Sequence, residues 1–119
     1  MVVERHHALS YIEFGVTDLQ ATRVFYESVF GWEFNDYGPN YSGIKSPDGA
    51  FEVGGLNPHA RPSETGPLVL IFSHDLDATV QAVESAGGTI IESPYAFPGG
   101  RRFEFIDPSG NRLGVYAHQ

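Results

Sequence analysis

Tyr11 and Glu13 stand two residues apart, as do Arg102 and Glu104, and Leu68, Leu70 and Phe72 keep the same spacing. In an extended strand this spacing puts side chains on one face. The residues between them are apolar: Ile12, Phe14 and Val16; Val69 and Ile71; Phe103 and Phe105; Leu113 and Val115. A helix must cover such a face. The opposite face then carries Tyr11, Glu13, Tyr41, Leu68, Leu70, Phe72, Arg102, Glu104 and Tyr116. An apolar wall with a few convergent polar groups is how a small-molecule site is built. Glu13 and Glu104 are its candidate general acid and base. An unpaired Glu13 against Leu68, Leu70 and Phe72 would have a raised pKa and could move a proton at neutral pH. The competing reading pairs Arg102 with Glu104 or Glu13, because a charge in a cleft needs a partner. A third places Glu13, Glu52 and Glu104 around a hard divalent cation such as Mg²⁺ or Mn²⁺.

Two copies of one unit carry these strands. Asp18-Leu19-Gln20-Ala21-Thr22 lies over Asp75-Leu76-Asp77-Ala78-Thr79 at an offset of 57, and Ser46-Pro47-Asp48-Gly49 over Asp107-Pro108-Ser109-Gly110 at 61. Two echoes in the same order imply a duplicated strand–helix–strand unit. In the first copy residues 8–16 predict a strand and 18–30 a helix. Thr17 with Gln20 fits a capping box, and Gly31 stops the helix. Short strands follow near 32–37, 40–46 and 50–56. In the second copy, a strand at 67–73 precedes a helix at 75–86 that ends at Gly87-Gly88. Strands near 89–93, 101–106 and 111–117 complete it. The units are 1–56 and 67–119, and polar 57–66, with two prolines, reads as a linker. Phe97 to Arg102 reads as a turn at the rim, with a mobile loop gripping an acidic ligand as the alternative. Trp32 reads as packing; His59 and His74 have no partner at metal-ligand spacing.

Composition narrows the classes. Fifteen acidic residues against seven basic give a formal charge of −8 over 119 residues. Such a surface repels nucleic acid. There is no cysteine, hence no disulfide or thiolate chemistry. No apolar run has the length of a membrane span. Met1 to His7 is polar and has no signal-peptide core, so a cytoplasmic protein is expected.

Tyr11 to Leu19, then Phe25-Tyr26 and Phe30-Gly31-Trp32, resemble the opening of the vicinal oxygen chelate superfamily. That group includes glyoxalase I, bleomycin- and fosfomycin-resistance proteins and extradiol dioxygenases. Phe105-Ile106-Asp107-Pro108-Ser109-Gly110-Asn111-Arg112-Leu113 resembles its closing motif. The resemblance implies an α+β fold of paired βαβββ units, with curved mixed sheets around a shared cavity and helices outside, often built across a homodimer. It also implies a metal held by His or Glu in the first and last strands of each unit. Here those positions hold Tyr11, Leu68, Gly114 and either Val53 or Glu52. The offset of 61 chooses Val53; strand alternation chooses Glu52, the favoured reading, and turns it to the cavity. Leu and Gly have no side-chain donor and Tyr is an uncommon ligand, so no metal or other cofactor is expected.

Three functions are then weighed. The first is a metal-independent protein that binds a small organic molecule, or moves a proton with Glu13, using Tyr11, Tyr41, Glu52, Leu68, Leu70, Phe72, Arg102 and Tyr116. The second is a metal-dependent lyase or dioxygenase of the glyoxalase kind, on displaced carboxylates. The third is a structural or interaction module, which the polar groups of the face argue against. Whether the chain is an enzyme stays open.

Overall fold

The computed structural model describes residues 4–119; Met1–Val3, the head of the polar N-terminal segment, lie outside the described residues. The first unit runs β1 (Ile12–Gly15), α1 (Leu19–Phe30), β2 (Phe34–Asp36), β3 (Ser42–Lys45) and β4 (Glu52–Asn57). The second runs β5 (Val69–Phe72), α2 (Leu76–Ser85), β6 (Thr89–Phe97), β7 (Gly100–Ile106) and β8 (Arg112–Ala117). Each unit folds into a four-stranded mixed sheet, ordered β1-β4-β3-β2 and β5-β8-β7-β6. In each, the first strand runs parallel to the last and the other pairs are antiparallel. The α+β fold of two repeated βαβββ units is thus the one expected.

The repeated Asp-Leu-x-Ala-Thr segment is a helix start. Asp18 and Asp75 are extended, and each side chain accepts the N–H three residues on, from Ala21 and Ala78 at 3.0 Å. The N-cap of α1 is therefore Asp18 and not Thr17, because Thr17 donates its backbone N–H to Ser109 Oγ (3.0 Å) instead. Gly31 ends α1 at φ 70°, which a residue with a Cβ adopts only at a cost. The first strand is shorter than its pattern, beginning at Ile12. β6 is longer than expected and reaches Phe97. Pro94 lies in it beside a register shift, where a strand tolerates a residue without N–H. Pro98-Gly99 then form a two-residue hairpin turn, so the rim segment is a plain turn.

The two units share one core. Phe25 and Tyr26 of α1 bury against Leu76 and Val83 of α2 and Phe103, Phe105, Leu113 and Val115 of the second sheet. Phe14, Trp32 and Phe34 of the first unit pack on the same cluster and also on Val16, Ile44 and Leu56. Trp32 stacks on Tyr26 at 4.5 Å, the packing role expected of it. The turn Asp107-Pro108-Ser109-Gly110-Asn111 clasps the units together. Asp107 Oδ1 accepts the N–H groups of Ser109, Gly110 and Asn111, while Oδ2 accepts Tyr26 OH at 2.8 Å. Asn111 Nδ2 donates to the Gly15 carbonyl (2.7 Å) and its Oδ1 accepts Ser63 N–H (2.9 Å). The 57–66 segment is thereby held: a Cβ on Gly15 would lie 2.2 Å from the Arg61 carbonyl oxygen.

Candidate functional site

With their helix-side faces on a common core, the outer faces of the sheets carry the candidate residues. On the first sheet Tyr11, Glu13, Tyr41 and Glu52 form one hydrogen-bonded chain. Tyr11 OH donates to Glu52 Oε2 (2.7 Å) and lies 2.7 Å from Tyr41 OH, which donates to Glu13 Oε1 (3.0 Å). Three donors absent from the sequence expectation complete it. Asn35 and Tyr37 donate to Glu52 Oε1 at 3.0 and 2.7 Å, and Asn57 to Glu13 Oε2 at 3.1 Å. Asn35 and Tyr37 alternate with Phe34 and Asp36, the signal that could have placed them. Glu13 is therefore not an unpaired carboxylate against Leu68, Leu70 and Phe72; it holds two donors of its own unit.

Burial would raise the Glu52 pKa, but the hydrogen bonds from Asn35, Tyr37 and Tyr11 outweigh it and hold the carboxyl below its ordinary value. Burial, and donation to these acceptors, pushes the Tyr11 phenol up; the Tyr41 phenol is raised as well, burial first and its bond to Glu13 also contributing. These tyrosines stay protonated donors at neutral pH.

On the second sheet Glu104 is 5% exposed. Its partner is Arg112 rather than Arg102: Arg112 Nε donates to Oε1 at 2.9 Å and Nη2 makes a second, very short contact. Tyr95 OH donates to Oε2 (2.5 Å) and accepts Arg102 Nε (2.5 Å). Burial raises the Glu104 pKa, yet Tyr95, Arg112 and the Arg102 charge more than offset it and keep the carboxyl ionised. Tyr95 lies beyond the strand end read from the sequence, and that hid it. Leu68 and Leu70 lie over Gly114, and Tyr116 meets Phe72 edge to face at 5.3 Å. His74 sits against Phe72, and His59 Nε2 lies 3.0 Å from Asn40 Oδ1.

Glu52 faces outward beside Tyr11, as strand alternation chose, yet strand register points to a third residue for the last-strand position of the first unit. Gly114 is in register with Leu70 on β5, and Gly55 with Glu13, the repeat equivalent of Leu70, on β1. Gly54 pairs with Ile44 and Glu52 with Lys45, leaving Val53 as the extra residue of a β-bulge. The bulge lets Glu52 and Gly55 face outward together while Val53 turns to the other side. The four positions are then Tyr11, Gly55, Leu68 and Gly114. Both glycines are covered: a Cβ would lie 1.8 Å from Tyr41 OH at Gly55 and 2.7 Å from Leu70 Cδ2 at Gly114. This donor set does not fit a metal. Within this one chain, Glu13, Glu52 and Glu104 do not gather as a group of three that could hold a cation among the described residues.

Among the described residues, the hydrogen bonds on each outer face stay within one unit. A cleft of about 630 Å³ is lined by both units, but by the opposite side chains: Ile12, Phe14, Trp32, Val53, Val69 and Ile71 among them. Of the expected site residues only Leu70 and Phe72 reach it. It lies between β1 and β5, one edge strand of each sheet.

Residues 8–115 match the family model described as Glyoxalase/Bleomycin resistance protein/Dioxygenase superfamily. The chain is 30% identical over 127 residues to the anthracycline biosynthesis protein DauV of a Streptomyces species, covering 92% of this chain and 46% of that one. It is 26% identical over 120 residues to CFP32 of Mycobacterium bovis, covering 90% and 44%. The chain thus spans less than half the length of these curated relatives. A crystal structure of a glyoxalase/bleomycin resistance protein/dioxygenase family enzyme from Burkholderia phytofirmans superposes with a TM-score of 0.78. It covers 93% of this chain and 98% of that one at 22% identity, a likeness of fold.

Proposed function

The chain belongs to the glyoxalase/bleomycin resistance protein/dioxygenase superfamily, and from that premise we propose that it binds a small organic molecule on its outer sheet faces without a bound metal. One observation carries this reading: Tyr11, Gly55, Leu68 and Gly114 stand at the four ligand positions, with Tyr41 and Leu70 packed over the glycines. Binding would rest on contacts to Leu68, Leu70, Phe72 and Tyr116, the charge of Arg102, and the rings of Tyr11 and Tyr41, whose hydroxyl protons are held by Glu52 and Glu13. That DauV is named for anthracycline biosynthesis fits a small organic ligand. In a catalytic version Glu13 would exchange the proton, because its carboxylate is exposed and Glu104 is committed to Arg112 and Tyr95. The opposing wall would come from a second copy. Its edges are prepared for one: β1 and β5 are edge strands, and Ile12, Val53 and Phe72 beside them are 43%, 37% and 40% exposed. No helix among the described residues is long and apolar enough to cross a membrane.

The test is elemental analysis of protein purified without chelator, with mass spectrometry of the small molecules that co-purify. The expected result is a bound organic molecule, no stoichiometric divalent metal, and retention of the molecule after EDTA. If a reaction on it is found, Glu13→Gln abolishes turnover and leaves binding nearly intact. A stoichiometric metal whose removal releases the ligand would overturn the reading.

A further inference from the structure

One row of side chains crosses the outer face of the second sheet. Phe72 on β5 is in register with Tyr116 on β8, Tyr116 with Arg102 on β7, and Arg102 with Tyr95 on β6. Cross-strand partners share a face and touch. Phe97, on the same side of β6, meets Tyr116 edge to face at 6.3 Å. Arg102 Cζ lies 5.3 Å from the Tyr95 ring centre and 4.9 Å from that of Phe97, so the guanidinium is held by two aromatic faces.

Little of that guanidinium's hydrogen-bonding capacity is used. Tyr95 OH takes the Nε proton. Among the described residues neither Nη nitrogen has an acceptor, and Arg102 makes no ion pair. Its neighbours differ: Arg112 is neutralised by Glu104, and Arg101 is turned to Asp77. The remaining acid on this side is Glu92, the register partner of Glu104 on edge strand β6, exposed and without an ion pair. The face therefore offers a fixed guanidinium fork at one end of an aromatic row.

Resting on the ligand-binding reading above and deepening it, the geometry points to a planar aromatic carboxylate as the ligand class of this face. The carboxylate would take the two Nη groups of Arg102 as a bidentate pair. The rings would lie along Tyr116 toward Phe72. Strands are about 4.8 Å apart, so β7 and β5 are separated by about 10 Å, a span that two fused rings with a carboxylate fill and a single ring does not.

The test titrates the full chain with 2-naphthoate, 2-naphthamide and cyclohexanecarboxylate, by calorimetry and by amide chemical-shift mapping. 2-Naphthoate is expected to bind roughly tenfold or more tighter than either analogue, with shifts centred on Phe72, Arg102 and Tyr116. Arg102→Ala should lose roughly tenfold or more. Arg102→Lys, which keeps the charge but not the fork, should recover only part of it. Circular dichroism checks each fold, and Tyr116→Leu, which leaves Arg102 in place, should also weaken 2-naphthoate. If the amide binds this face as well as the acid, or Arg102→Lys binds like the parent, the anionic class falls while ligand binding stands. If none of the three binds, the class falls, and the co-purified molecules decide the broader reading separately.

Discussion

Replacing Gly55 by Ala puts one carbon into the outer face of the first sheet. That Cβ would lie 1.8 Å from Tyr41 OH and 2.3 Å from its ring Cζ, so the whole end of the ring must leave. Tyr41 then loses its contact with Tyr11 OH and its donation to Glu13. A neutral hydrogen bond contributes about 1 kcal/mol and one to a charged group about 1.5–3, so with Tyr41 half-buried the loss is about 2–3 kcal/mol. Against this, Ala restricts the unfolded chain more than Gly does and returns about 0.5–1 kcal/mol. The net expectation is about 1–2.5 kcal/mol of lost stability, a fall in Tm of about 4–10 °C for a domain of this size. The assay is urea unfolding of four proteins: the parent, Gly55→Ala, Tyr41→Ala and the double variant. With Tyr41 truncated the space over residue 55 is free. Gly55→Ala should then be neutral or slightly stabilising, giving a coupling near 2 kcal/mol. Equal cost in both backgrounds would show that Gly55 is kept for some reason other than the Tyr41 ring, and the account of the filled ligand position would fail with it.

Asn111→Ala removes the donor to Gly15 and Asp107 and the acceptor of Ser63 N–H, all buried or half-buried. It should cost about 2–4 kcal/mol and raise amide exchange in both units together; a smaller, single-unit effect would deny the turn its role as a clasp. Glu52 and Glu104 have depressed pKa values in the folded chain. The unfolded chain therefore binds protons first, and stability falls as pH drops from the ordinary carboxylate value of 4.5 through the lower folded values. Glu104→Gln should be less stable at neutral pH and flatten that acid limb. An unchanged limb would mean that other carboxylates carry it.

Sequence alone determined the duplicated unit, the place of its two helices, though not that Asp18 rather than Thr17 caps the first, and which residues share a face within a regular strand. These follow from local rules: side-chain alternation, capping chemistry and a repeat offset. It also showed that Leu68 and Gly114 offer a metal no side-chain ligand, since neither has a side-chain donor atom in any fold. Tertiary structure decided what lies between strands. The bulge at Val53 turned Glu52 and Gly55 to the same side, which neither strict alternation nor a constant offset can express. Arg112 took Glu104 and left Arg102 to the aromatic rings, because cross-strand register and not sequence proximity sets which side chains meet. The shared core took the helix-side faces of both sheets, and the cleft common to both units fell largely to apolar side chains of that parity.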